Sequence, residues 1–207
     1  MIKPLESKEA RDNRIKKRNI FLGIIIAIVM VGGTVGWAVL SNEETQTNNK
    51  YNGFTFVQTD NYWQTRVNLN NNPFILSTRL LPQEVENVSS SGTPNVQGFY
   101  GKTVYIVATS TEEKEASLDF IVNFQNIVNR IQFACPEEEA NESFCADIPI
   151  KTCADVTFEN AIIIINEKEN ATSNLDYSSG CLKIEGSQGD EIRAMDKALF
   201  IMFGVIK

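Results

Sequence analysis

The sequence predicts an α+β protein: an N-terminal transmembrane helix followed by a two-layer external domain, a mixed sheet with helices mainly on one face. Three observations predict it. Residues 20–40 hold no charged side chain. Short segments with strand-like alternation fill residues 54–80, and beyond them apolar runs such as Ile162-Ile163-Ile164-Ile165 alternate with helical patterns. The parts in order are a cytoplasmic basic stub (1–19), the transmembrane helix (20–40), a stalk (41–51) and an extracytoplasmic α+β domain (52–207).

Residues 20–40 are dominated by Ile, Val, Leu, Phe and Gly. A helix of that length covers about 30 Å, the hydrocarbon thickness of a bilayer. A buried soluble helix rarely stays apolar on every face for so long. Membrane lipid is therefore the first partner, contacted through residues 20–40. Seven basic residues before the run (Lys3, Lys8, Arg11, Arg14, Lys16, Lys17, Arg18) outweigh Glu6, Glu9 and Asp12, a balance of +4, whereas Glu43 and Glu44 follow it. Positive charge stays inside, so the N-terminus is cytoplasmic and the rest of the chain is outside. The exit at Trp37 to Ser41 lacks a small-residue cleavage pattern, which makes the run an uncleaved signal-anchor. Gly32 and Gly36 form a G-x-x-x-G pair, the spacing of a helix-pairing face and hence of a homodimer.

Against a whole-chain charge of −7, the basic stub leaves −11 for the remainder. A surface that acidic repels phosphate backbones, which excludes nucleic acid as a partner. The four cysteines, Cys135, Cys145, Cys153 and Cys181, all lie on the external side, and the chain has no His. An even number in an oxidising compartment reads as two disulfides, while zinc-type spacings are missing, so no metal is expected. Of three connectivities, the sequence favours Cys135–Cys145 around the acidic loop Glu137-Glu138-Glu139, and Cys153–Cys181.

Within the external domain, residues 54–58, 63–67 and 74–80 read as a three-stranded antiparallel meander, with turns at residues 59–61 and 70–73. Residues 82–98 read as a long loop with a helical turn at 84–88. Residues 102–108 make a buried central strand, and Ser110 with Glu113 fits a capping box. The helix that follows places Leu118, Ile121, Val122, Ile127, Val128 and Ile131 on one face. Residues 161–165 form a second buried strand, giving a parallel strand–helix–strand crossover. After a polar loop at 167–179, residues 182–185 alternate as an edge-like strand. A last helix starts at Ser187 and Asp190, carries Ile192, Met195, Leu199 and Met202, and stops at Gly204.

Catalytic signatures are few. Without His, neither Ser-His-Asp nor Cys-His catalysis can be built. Ser89-Ser90-Ser91-Gly92 lacks the G-x-S-x-G turn and reads as a loop. A pair of carboxylates could hydrolyse glycosides, and Glu84, Glu86, Asp147, Asp155 and Asp176 are the candidates, although nothing in the spacing pairs them. No cofactor motif is present. Sequons at Asn87, Asn141 and Asn170 mark candidate glycosylation sites.

Residues 143–155 (Ser-Phe-Cys-Ala-Asp-Ile-Pro-Ile-Lys-Thr-Cys-Ala-Asp), within the segment 133–157, resemble uncharacterised single-anchor extracytoplasmic proteins of small-genome archaea. The endings at 180–186 (Gly-Cys-Leu-Lys-Ile-Glu-Gly) and 193–205 do so too, and the resemblance spans roughly the C-terminal third. It implies a location and carries over no functional residue. Together these readings describe a single-pass, membrane-anchored binding or scaffolding module with a protein partner in the envelope. An envelope hydrolase using paired carboxylates and a ligand-sensing module are the alternatives.

Overall fold

Three dipeptides, Asn52-Gly53, Asp60-Asn61 and Asn70-Asn71, fold the start of the domain into a meander. Asn52, Gly53, Asn70 and Asn71 all take positive φ (47°, 85°, 52° and 66°), the geometry of two-residue hairpin turns. The result in the computed structural model, which describes residues 48–168, 171–187 and 189–207, is a four-stranded antiparallel sheet. Its strands are β1 (Asn48–Tyr51), β2 (Phe54–Thr59), β3 (Tyr62–Leu69) and β4 (Asn72–Thr78), in that order. The sheet has four strands where alternation predicts three, and it starts inside the segment read as a stalk, because Asn52-Gly53 makes an additional hairpin. Residues 1–47, with the basic stub, the apolar run and Gly32 and Gly36, lie outside the described residues.

The second sheet has six strands in the order β5-β9-β10-β8-β6-β7. These are β5 (Ser89–Ser91), β6 (Thr103–Val107), β7 (Arg130–Ala134), β8 (Asn160–Glu167), β9 (Asn174–Ser178) and β10 (Cys181–Gly186). β6, β7, β8 and β10 run parallel, with β9 antiparallel to β10. Ser89-Ser90-Ser91 therefore forms an edge strand on β9 rather than a loop. Residues 182–185 lie in the centre of the sheet, not at its edge.

Helix α1 (Thr111–Phe124) links β6 to β7, and α2 (Glu191–Met202) follows β10. The capping box at α1 forms as the residues predict, with Ser110 Oγ accepting from the Glu113 amide at 3.1 Å. Its buried face differs from the expected one. Ala116, Phe120 and Phe124 are fully buried, while Leu118 and Val122 stand 46% and 42% exposed. The predicted stripe depended on Ile131, which belongs to β7 because the helix ends at Phe124. At α2, Met195 and Leu199 are buried as expected, and Gly204 ends the helix region with φ 72°.

The helices lie between the two sheets, so the domain has three layers rather than two. α2 is buried nearly all round, as a helix covered on both sides must be. Its Phe200 meets Phe56 of β2 edge-on at 5.9 Å, and its opposite side packs on β9 and β10. An aromatic chain runs across the layers: Phe74 stacks on Phe203 at 5.0 Å, Phe203 meets Phe124, and Phe124 stacks on Phe120 at 4.2 Å. Such pairs add about 0.5–1.5 kcal/mol each beyond their area burial. The far face of the second sheet carries a smaller core, Val107, Ala134, Ile162 and Cys181. Among the described residues no α-helix covers it; the connection between β7 and β8 does. Among the described residues no helix is long and apolar enough to cross a membrane.

Candidate functional site: a stapled connection over the open sheet face

The connection between β7 and β8 contains only three single-turn 3-10 helices, Glu137–Glu139, Ser143–Cys145 and Cys153–Asp155. A stretch with so little regular structure needs other restraints. Cys135 bonds Cys145 with Cα atoms 5.9 Å apart, and Cys153 bonds Cys181 of β10 at 5.5 Å. At the neck, the Cys135 amide donates to Pro149 O, and the Lys151 amide donates to Cys135 O, both at 2.9 Å. The Thr152 amide donates to Asp155 Oδ2 at 2.8 Å, a bond that holds the Asp155 carboxyl below its ordinary range.

Stapling this connection to the sheet leaves a groove on each side of the Cys153–Cys181 bridge. One, of about 390 Å³, lies at the carboxyl ends of β6, β8 and β10, where Val107, Asn166 and Glu185 line it beneath Glu137, Glu138 and Thr152. From β6 the chain crosses to β7 on one side and returns to β8 on the other, so β6 and β8 flank a topological switch point. Open parallel sheets present ligand crevices at such points. The other groove, of about 400 Å³, is lined by Val156, Asp176, Ser178 and Ser179. Lys183 of β10 borders both.

The charges here are mostly engaged in pairs. Glu185 accepts from Lys168 and from Asn174 Nδ2 at 3.1 Å, and the Lys168 bond draws its carboxyl below the usual range. Lys151 lies 3.4 Å from Asp155 and 4.9 Å above the Tyr105 ring. The side chains of Lys183, Glu137 and Glu138 have no hydrogen-bond or ion-pair partner among the described residues. The groove thus offers an ammonium on its floor and carboxylates on its rim, groups suited to recognition. Phe144 and Phe158 belong to the same connection and stand 54% and 93% exposed.

The four cysteines occupy the two bridges named from the sequence. Asn87 and Asn141 are exposed, though Asn87 Oδ1 accepts from Arg193 at 2.6 Å. Asn170 lies outside the described residues. The five candidate hydrolytic carboxylates are not gathered into one site: Glu84 caps a turn after β4 with Glu86 exposed just beyond it, Asp147 is exposed on the β7–β8 connection, Asp155 pairs with Lys151, and Asp176 lines a groove on β9. No group of three or more Cys, Asp or Glu poised to hold a metal occurs among the described residues.

The carboxyls that the fold does bring together are two the sequence reading passed over, Asp119 of α1 and Asp196 of α2, both fully buried. Arg79 Nε donates to both Asp119 oxygens at 2.9 and 3.0 Å. The Leu80 amide donates to Asp196 Oδ2 at 2.8 Å. Burial, with the charge of Asp119 beside it, pushes the Asp196 carboxyl well above its ordinary range. Their signal in the sequence was charged residues inside apolar helical stretches, beside Phe120 and between Met195 and Leu199. The chain matches no protein-family model, no curated protein and no solved structure.

Proposed function

We propose that the protein is a single-pass, membrane-anchored extracytoplasmic binding module whose protein partner docks on the stapled β7–β8 connection. One observation carries this reading: Phe144 and Phe158 stand exposed on a connection held rigid by two disulfides. Aromatic side chains dominate the energetics of protein interfaces. Preorganised by the bridges, these two avoid much of the ordering cost of binding. Glu137 and Glu138 of the same connection, with Lys183 of β10 below it, supply polar contacts for register.

The anchor and the external location rest on residues 20–40 and their basic flank, and the two disulfides agree with an oxidising compartment. Hydrolysis by paired carboxylates has little support, because Asp119 and Asp196 are sealed from any substrate. Co-purification of the full chain from mild detergent tests the proposal. A discrete partner that is retained by the native chain and lost with Phe144→Ser/Phe158→Ser supports it. Recovery of the isolated monomer alone contradicts it.

A further inference from the structure

We propose that Asp119 and Asp196 share one proton and form a pH-operated latch that ties the end of β4 to both helices. The geometry demands a proton. Asp196 Oδ1 is buried with no partner when both groups are written as carboxylates. Its neighbour is the Asp119 carboxyl: the two fully buried groups are held by consecutive residues, Asp119 by Arg79 Nε and Asp196 by the Leu80 amide. Two ionised carboxylates in contact inside a protein repel, whereas an acid–carboxylate pair is held by a hydrogen bond. With the proton on Asp196, Oδ1 donates to Asp119 and Oδ2 still accepts from Leu80. Every oxygen of the pair is then used.

The surrounding groups fix which member ionises. Arg79 grips Asp119 through Nε, and its other nitrogens reach Glu115 Oε1 at 2.9 Å and Glu115 O at 2.5 Å. Tyr62 of β3 faces the same cluster, and burial first, then the Asp119 charge, keeps its hydroxyl protonated. Lys197, next to Asp196 on α2, points elsewhere, donating to Glu86 O at 3.0 Å and to Val88 O. Arg79 is thus the single cation on the pair among the described residues. It balances one carboxylate there, not two.

Loss of the proton leaves Arg79 and the Leu80 amide to hold two like charges apart. The segment that leaves β4 at Arg79 is then freed at its first anchor. A groove of about 580 Å³, lined by Arg79, Leu80, Glu84, Ile192 and Arg193, marks the seam that would open. The latch is closed while the pair holds its proton and released as pH rises.

Hydrogen exchange on the full chain in lipid nanodiscs tests the latch, read at the Leu80 amide and corrected for base-catalysed intrinsic exchange. Over a pH series that rises from the ordinary carboxylate range, the native protein should lose about tenfold in protection there, the equivalent of one unit of displaced titration. Asp196→Asn, which keeps both hydrogen bonds without a titratable proton, should show no such loss. An equal loss in Asp196→Asn, or none in the native chain, overturns the proposal. Should Asp196→Asn fail to fold, isotope-edited infrared spectroscopy of the native protein decides. A protonated aspartyl carbonyl band that persists above the ordinary carboxylate range supports the latch, and its absence refutes it.

Discussion

Asn123 of α1 takes the place of a missing strand beside Ser77 of β4. Its Oδ1 accepts from the Ser77 amide at 2.9 Å, and its Nδ2 donates to Ser77 O at 2.7 Å, the two bonds a neighbouring strand would make. Sheet edges left open invite pairing with other chains, and this one is closed from within. Asn123→Ala leaves both Ser77 backbone groups buried and unpaired. Each such group costs about 1–3 kcal/mol, so urea unfolding of the full chain in micelles should shift by at least that amount. Increased self-association of the variant on native gels would mark the reopened edge.

Lys197 is a buried ammonium that serves backbone carbonyls rather than a carboxylate. It joins α2 to Glu86 and Val88, just ahead of β5. Lys197→Met fills similar space and orphans both carbonyls. A loss of about 1–3 kcal/mol is expected, less the relief of desolvating the ammonium. Exchange at the amides of residues 86–91 should accelerate with it.

The bridge Cys153–Cys181 closes a 28-residue separation and Cys135–Cys145 one of 10. On the chain-entropy account their removal costs about 3.5 and about 2.7 kcal/mol, respectively. Cys153→Ser/Cys181→Ser should also uncover the small core around Val107 and Ile162, seen as faster proteolysis between residues 135 and 160. Limited digestion that leaves this connection as resistant as in the native chain would contradict its stapled character.

How far the sequence is legible follows from which periodicities are unambiguous. The turns at Asp60-Asn61 and Asn70-Asn71, the Ser110–Glu113 capping box, the β6 and β8 strands and the end of α2 at Gly204 all carry local chemistry that fixes them. The first turn, Asn52-Gly53, carried the same chemistry but directly followed the polar stretch 41–51, which looked like a stalk and hid β1. Ile127, Val128 and Ile131 extended an apolar stripe past the true end of α1 at Phe124, which hid β7 and assigned the wrong helical face. A second sheet over α2 shows only in its all-round burial, a tertiary fact. The candidate site was half visible: the cysteines and the acidic loop stood out, while Phe144, Phe158 and Lys183 acquire meaning only once the connection folds over the sheet.

Charged groups with opposing shifts set the response to pH. Burial raises the carboxyls of Asp196 and Glu191, and Glu191 Oε1 is buried without a partner among the described residues. A carboxyl raised in the folded state contributes stability that is complete below its unfolded pKa and is lost as pH climbs through the folded value. Asp155 and Glu185, held low, act in the reverse sense, but their partly exposed side chains are screened by solvent. The buried groups therefore prevail. Thermal unfolding should show a midpoint that falls from the ordinary carboxylate range upward, with a shallower fall for Glu191→Gln.

A photo-crosslinking residue placed at Phe158 in the full chain within native membranes tests the central claim most directly. The same probe at Arg66, exposed on β3 of the other sheet, serves as the comparison. The binding-module account predicts one discrete protein adduct from position 158 and none from position 66. No adduct from position 158, or the same adducts from both positions, would contradict it.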